Sequence, residues 1–383
     1  MAQVLRAARR APHTSPVSIR PGRPGDIPAL VEIETRCFAQ ERLSRRSFQH
    51  LLTRGHSLHL VAEVDGRIAG YAIVLLNRGT SLARLYSFAI DPDFRGRGLG
   101  TRLLAEIEAL AAAEGRAFMR LEVRQDNAVA VKRYRDAGYR EFGHYPDYYE
   151  DHSDALRMEK ALAGGARPEL MRVPYYPQTL EFTCGPACLI MAMKALDPGL
   201  RVDRTLEIAL WRESTTIYMT SGHGGCGPNG LALAAWRRGF ETRVHGGDEK
   251  ALFLESVRSE TKKEVIRLVQ DDFRRQIRRA GIKVVEKGLG TADLMRCLEA
   301  GAVPVVLISS YRMYGEKAPH WVVVTGFDER FFYLHDPYIE EKKRRTAADC
   351  INVPIARADF ERMTRYGSAR LRAAVILLGK RPT

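Results

Sequence analysis

No stretch of this 383-residue chain reaches the roughly 18 uninterrupted apolar residues that a membrane-crossing helix requires. The longest apolar runs, such as Val303–Ile308, are short and end at turn residues, which suits buried strands. Residues 1–16 hold Arg6, Arg9 and Arg10 but no acid and no apolar core, which excludes the h-region of a secretory leader. A disordered tail is expected there, with an arginine-rich organellar presequence as the competing reading. Cysteine is sparse: six residues, no C-x-x-C pair and no Cys/His cluster at zinc spacing. Neither a disulfide framework nor a metal site is expected, and a reducing, cytoplasmic compartment with mostly buried thiols fits.

Acid is in the minority, with 46 Asp and Glu against 60 Lys and Arg, a net charge of +14. That balance favours acidic partners such as coenzyme phosphates, nucleic acid, anionic surfaces or acidic peptides. The basic residues are dispersed, however, and the densest runs (Arg274-Arg275, Arg278-Arg279, Lys342–Arg345) lack any helix-turn-helix, zinc-finger or aromatic RNA-binding pattern. They read as a solvated basic face. No nucleic-acid motif and no membrane partner are expected. There is no internal repeat and no low-complexity tract.

Single cores rarely grow beyond about 250–300 residues, so the length predicts two domains. Residues 17–162 alternate helix and strand. Ser18–Arg20 reads as a strand, Asp26–Glu34 as a helix capped near Asp26, and Leu58–Val64 with Ile68–Leu75 as a hairpin turning at Asp65-Gly66. Ala83–Ile90, Met119–Val123 and Ala155–Glu159 read as strands, Gly100–Glu114 and Ala128–Asp136 as helices. The Gly- and Pro-rich stretch 163–170 reads as a linker, and 171–383 as a second α/β or α+β domain. Within it, the charged segment Glu249–Lys287 is mainly helical in pattern and is read as an insertion over the site.

The first chemical constellation is Asp91-Pro-Asp-Phe-Arg-Gly-Arg-Gly-Leu-Gly100, between a strand and a helix beginning near Thr101. Glycines there let backbone approach a ligand, and the unpaired first-turn N–H groups with the helix dipole favour an anion such as pyrophosphate. Arg95–Gly100 resembles the R/Q-x-x-G-x-G/A segment of the GNAT superfamily of acetyl-coenzyme A-dependent N-acetyltransferases. Tyr134–Tyr139 is similar to that family's Y-x-x-x-G-F/Y element, and the likeness covers roughly Val17–Leu162. The resemblance implies acetyl-CoA as co-substrate, with Phe88, Ala89 and Ile90 on pantetheine. It puts Arg95, Gly96, Arg97, Gly98, Leu99, Gly100 and Thr101 on pyrophosphate, with Asn127 in support. It also implies Tyr134 as the acid that protonates the departing thiolate. Glu122, on the strand before Arg124, is the candidate general base. The acceptor amine is not legible.

The second constellation is Val173–Cys188, followed by the apolar helical run Leu189–Leu196. Cys184 sits at the helix start, where the dipole lowers a thiol's pKa, whereas Cys188 lies one turn further in and reads as packed. Gln178 lies within reach of a developing oxyanion. His320 opens the strand His320–Phe327 and Asp336 ends the strand Phe331–Asp336, so an antiparallel pair turning at Asp328–Arg330 brings base and orienter together. His335 alternates to the opposite face. The loop Gly222–Asn229 reads as a cleft loop or plain turn, with Cys226 not a nucleophile.

These blocks resemble the papain-like bacteriocin-processing peptidases, which cut after double-glycine leaders: Q-x5-C-G-x-A, H-[FWY]-V-V-V and a D-P strand end are all matched. The resemblance implies Cys184 as nucleophile, His320 as base, Asp336 as orienter and Gln178 as oxyanion donor. Such peptidases usually sit on membrane transporters, and no transporter segment is present here, so double-glycine specificity is not carried over. The expected fold is thus α/β plus α+β, a GNAT domain followed by a papain-like cysteine peptidase domain. The expected function is bifunctional: acetylation of a primary amine of a peptide or protein, and cysteine hydrolysis of an amide. A non-proteolytic peptide-binding module or a thiol acyltransferase is the alternative for the second half.

Overall fold

The computed structural model describes residues 17–162, 170–215, 224–246, 257, 259–340, 345–367 and 370–382. The expected tail, most of the linker, and parts of the 222–229 and 249–287 segments lie outside these residues. Two compact units emerge, one of residues 17–76 and 83–162, the other of 77–82 and 170–382.

The first unit comprises β1 (Val17–Pro21), α1 (Ile27–Cys37), α2 (Arg45–Thr53), β2 (Ser57–Val64), β3 (Arg67–Leu76), β4 (Leu82–Ile90), α3 (Leu99–Ala113), β5 (Phe118–Arg124), α4 (Ala128–Asp136), β6 (Arg140–Tyr145) and β7 (Ala155–Ala161). Its sheet runs β1-β2-β3-β4-β5-β7-β6. The β2–β3 hairpin turns at Asp65 (φ 50°) and Gly66 (φ 76°), the two positive angles that a tight primed turn needs. Strand alternation divides the core in two. Leu60, Ala62, Ala72 and Val74 face Leu103, Leu104 and Ile107 of α3, while Val61, Tyr71 and Ile73 face Ile27, Leu30 and Phe48 of α1 and α2.

Three local features depart from the sequence reading. Asp26 does stand before α1, but its carboxylate makes no cap bond to the helix; it takes Arg20 at 2.8 and 3.0 Å instead. A guanidinium offers two charge-assisted donors, a stronger claim than one backbone amide. The helix α2 has only Phe48 and Leu51 as its buried stripe, too short to stand out as periodic. The strand β6 buries none of its residues fully, so it carries no apolar alternation.

The second unit comprises α5 (Cys184–Leu196), α6 (Arg204–Ser214), α7 (Pro228–Arg237), β8 (Phe240–His245), α8 (Glu260–Arg279), β9 (Lys283–Val285), α9 (Thr291–Glu299), β10 (Val303–Ser309), α10 (Tyr311–Tyr314), β11 (Pro319–Phe327), β12 (Phe331–His335), β13 (Val353–Ala356), α11 (Arg357–Met363) and β14 (Ala374–Lys380). Its sheet order is β13-β12-β11-β10-β14-β8-β9, antiparallel except for β8–β9. One face packs Val303, Val305, Trp321 and Val323 against α5 and α7; the other packs Val306, Val322, Leu334 and Ile376 against α9 and α11. The charged helix α8 buries Ile266, Phe273 and Ile277 and packs on α7, so it belongs to the core layer. Among the described residues no helix is long and apolar enough to cross a membrane.

Candidate active sites

In the first unit β4 ends at Ile90 and the chain turns through Asp91, which is buried, takes Arg36 at 2.7 Å and accepts the N–H of Asp93 at 2.9 Å. Gly96 (φ 78°) and Gly98 (φ 73°) then hold a left-handed backbone that side chains resist, and a Cβ at either would point into open space. Gly98, at the N-cap of α3, has no side chain with which to cap that helix. The first-turn amides are thus left to an anion, beside a surface from which side chains have been removed. Behind them Arg133 closes in: a Cβ on Gly100 would meet its guanidinium at 3.1 Å. This cradle fits a pyrophosphate.

The side chains of this segment do other work. Arg95 donates through Nε to the Ile90 carbonyl at 3.1 Å, and Arg97 donates to the Asp93 carbonyl at 3.2 Å. Leu99 is in the core and Thr101 is exposed. Phe88, Ala89 and Ile90 pair with Ala72, Tyr71 and Gly70 of β3. Asn127 caps α4, accepting the N–H of Ala130 at 3.1 Å. Tyr134 is buried edge-on against Tyr139 at 5.5 Å. Burial pushes its phenol up to about 12, against the opposing charge of Arg133, so it rests protonated. Glu122 is partly buried on β5 and ion-paired at 2.8 Å with Arg84, which also reaches the Tyr148 hydroxyl at 3.2 Å.

In the second unit Cys184 is the first residue of α5 and is half-buried. Its ring partner is His320, at the start of β11. Burial alone would push the Cys184 thiol up. The hydrogen bond and charge of His320, with the N–H groups of Trp321 and Gly185, overcome it, and the thiol lies below its ordinary value. Burial likewise opposes the imidazolium, yet the charge and hydrogen bond of Asp336 raise His320 to about 10. Nε2 of His320 lies 2.7 Å from Oδ1 of Asp336, which leaves Nδ1 for the thiol. Both shifts act in the direction that favours a thiolate beside an imidazolium.

The β11–β12 ladder explains the meeting. Its last pair is Val323↔His335, so Asp336 emerges one step beyond, within diagonal reach of His320. His335 is a structural residue: Nε2 engages the Val173 carbonyl at 2.8 Å and Nδ1 accepts the Asn352 N–H at 3.0 Å. The segment before the nucleophile is fastened to the same strand end, with Tyr175 donating to the Asp336 carbonyl and the Gln178 N–H to the Pro337 carbonyl, both at 2.9 Å. Gln178 donates one side-chain N–H to the Leu180 carbonyl at 2.8 Å, which leaves the amide's second hydrogen for another acceptor. Cys188 and Cys226 are buried; Cys226 gives its carbonyl to the Trp321 indole at 3.0 Å.

Glu207 escaped the sequence reading. Fully buried on α6, it accepts from Tyr176 at 3.0 Å, from the N–H and hydroxyl of Thr179 at 2.9 and 2.7 Å, and from the Thr183 hydroxyl. One carboxylate thus shapes the loop that delivers Cys184. The signal was present: Glu207, Leu210 and Ser214 form the buried stripe of α6, and a carboxylate on such a stripe needs partners. Arg133 and Tyr314 were also passed over, because only contacts between distant elements reveal them.

Residues 173–378 match the family model described as the Peptidase_C39 like family, and residues 27–139 that of the Acetyltransferase (GNAT) family. A [ribosomal protein bS18]-alanine N-acetyltransferase of Salmonella typhimurium is 36% identical over 138 residues, 35% of this chain and 89% of that protein. The N-alpha-acetyltransferase RimI of Mycobacterium tuberculosis is 32% identical over 151 residues, 38% of this chain and 94% of that protein. The crystal structure of the ribosomal-protein-S18-alanine N-acetyltransferase from Escherichia coli is 28% identical, covers 40% of this chain and 98% of its own, and superposes with a TM-score of 0.36. Both resemblances read from the sequence are borne out: the chain belongs to the Peptidase_C39 like family through its second unit and to the GNAT acetyltransferase family through its first.

Proposed function

We propose that this chain is a bifunctional enzyme that acetylates the α-amine of a peptide or protein and cleaves an amide bond through a thioester on Cys184. The acceptor class rests on the relatives' names, one for an alanine of ribosomal protein bS18 and one for N-alpha acetylation. When bound, acetyl-CoA supplies the acetyl group. Backbone amides of Gly96–Thr101 and the cation of Arg133 hold its phosphates, Tyr134 keeps a proton at Oη to give up, and Glu122 takes one from the amine once Arg84 yields.

The observation that carries the hydrolase reading is the unbroken hydrogen-bonded line Cys184–His320–Asp336. Cys184 Sγ attacks the scissile carbonyl carbon, and Gln178 with backbone N–H groups faces the developing oxyanion. The imidazolium gives its proton to the leaving amine, and the C–N bond breaks to leave a thioester. Water, deprotonated by His320, attacks the thioester; the acid departs and the thiolate–imidazolium pair is restored. Cleavage exposes a new α-amine, the acceptor class of the first unit, so one peptide can serve both sites. The test incubates the full chain with labelled acetyl-CoA and peptides from a native lysate and reads both products by mass spectrometry. Cleavage that persists in Cys184→Ala would sink the thiol reading; peptide α-amines that never take label would sink the other.

A further inference from the structure

Asp336 is fully buried, and its two oxygens are served by different elements. Oδ1 takes His320 at 2.7 Å and the N–H of Tyr338 at 3.0 Å. Oδ2 has one hydrogen-bond donor among the described residues, the hydroxyl of Tyr314 at the end of α10. The same phenol ring stands edge-on to His320, with centroids 6.0 Å apart and planes at 83°. Tyr314 therefore touches the base with its ring and the orienting acid with its hydroxyl.

A cation completes the group. Arg345 is buried, its guanidinium lies 4.9 Å from the Tyr314 ring centroid, and neither Nη1 nor Nη2 has a hydrogen-bond partner among the described residues. A guanidinium is rarely buried without a bidentate acceptor, because its desolvation then goes unanswered. Here its charge is placed on the aromatic face, where it polarises the phenol toward donation, and within the field of Asp336.

We infer that Tyr314, backed by Arg345, is a positioning residue of the thiol site: it fixes and keeps ionised the Asp336 carboxylate on which the His320 imidazolium depends. The inference rests on the hydrolase reading. Without Tyr314, Oδ2 loses its donor, the carboxylate is less stable as an anion, and both its charge and its aim toward His320 weaken. The groups that bear on this titration are His320, Asp336, Arg345, Cys350 and Tyr338 around Tyr314, with Asp349 acting on Arg345 and Cys184 and Cys188 from α5. The signs follow. A weaker Asp336 destabilises the imidazolium, so the basic limb, where His320 deprotonates, moves down. A weaker imidazolium stabilises the thiolate less, so the acidic limb, where Cys184 protonates, moves up.

The experiment measures the second-order rate of iodoacetamide alkylation of Cys184 against pH, in the intact chain and in Tyr314→Phe and Arg345→Met. A single hydrogen bond to a charged group predicts, for Tyr314→Phe, an acidic limb moved up by about one pH unit with a loss of about tenfold in rate along it, and the change at His320 deprotonation moved down from near pH 10 by about as much. Arg345→Met should shift both features in the same sense by about half as much. A purely structural Tyr314 would lower the melting temperature and leave the pH profile in place; that result, in either folded variant, overturns the inference. If the unaltered Cys184 alkylates no faster than glutathione at pH 6, it is the hydrolase reading that fails, and this inference with it.

Discussion

The imidazole of His320 and the carboxylate of Asp336, 16 residues apart in the chain, meet at 2.7 Å across the end of an antiparallel strand pair. Both are buried, so the contact is a charge pair that a partner's loss would leave uncompensated. Asp336→Asn keeps the shape but removes the charge and favours the wrong imidazole tautomer. Amide cleavage should fall by about 10²- to 10⁴-fold with the peptide's KM little changed, measured by steady-state kinetics on the full chain.

Of the six cysteines, only Cys184 is held below its ordinary value, and burial drives the other five up, Cys226 to about 12. Iodoacetamide at pH 6 should therefore add a single label, mapped by peptide mass to Cys184 and absent from Cys184→Ala. Labelling spread evenly over Cys37 and Cys297 would contradict this.

The hydrolase reading sets two limits on the reactive pair. A thiol held below its ordinary value ionises at lower pH than a free one, and an imidazolium raised to about 10 persists below that pH. Alkylation should accordingly form a plateau across the neutral range and change again as His320 loses its proton near pH 10, where a bare thiolate remains. An ordinary thiol would instead rise steadily through about pH 8.5.

Glu207→Gln replaces an acceptor of four hydrogen bonds with an amide that must turn a donor toward the same groups. The loop ending at Cys184 loses its clamp, at a cost of about 1.5–3 kcal/mol. Urea unfolding should show a lower midpoint with unchanged slope, and alkylation of Cys184 should slow in parallel.

Gly98→Ala tests the coenzyme cradle separately from the thiol site. The methyl is strained at φ 73° and enters the space left for a phosphate. A penalty of about 1–2 kcal/mol predicts a rise in the KM for acetyl-CoA of about tenfold, with peptide cleavage unaffected.

The first unit was largely legible because its signals are local. Period-two strands, the Asp65-Gly66 turn and the glycines before α3 each act within a few residues, and their backbone demands hold in any surroundings. Its roles were less so. Arg95, expected on the phosphates, donates to the Ile90 carbonyl, and Arg133, in a helix unremarkable as sequence, stands over the start of α3.

In the second unit, residue type and place, together with the family likeness, marked Cys184, His320 and Asp336 as candidates: a thiol at a helix entrance and two strand ends joined by a short turn. What the chain order could not express is who stands behind them. Glu207, Tyr314 and Arg345 come from α6, α10 and an irregular segment, and each acquires meaning only where folding withdraws water and brings a distant partner within a few ångströms. Electrostatic interactions strengthen as the dielectric around them falls, so the lowered thiol value of Cys184 is a property of the packed neighbourhood and not of any motif.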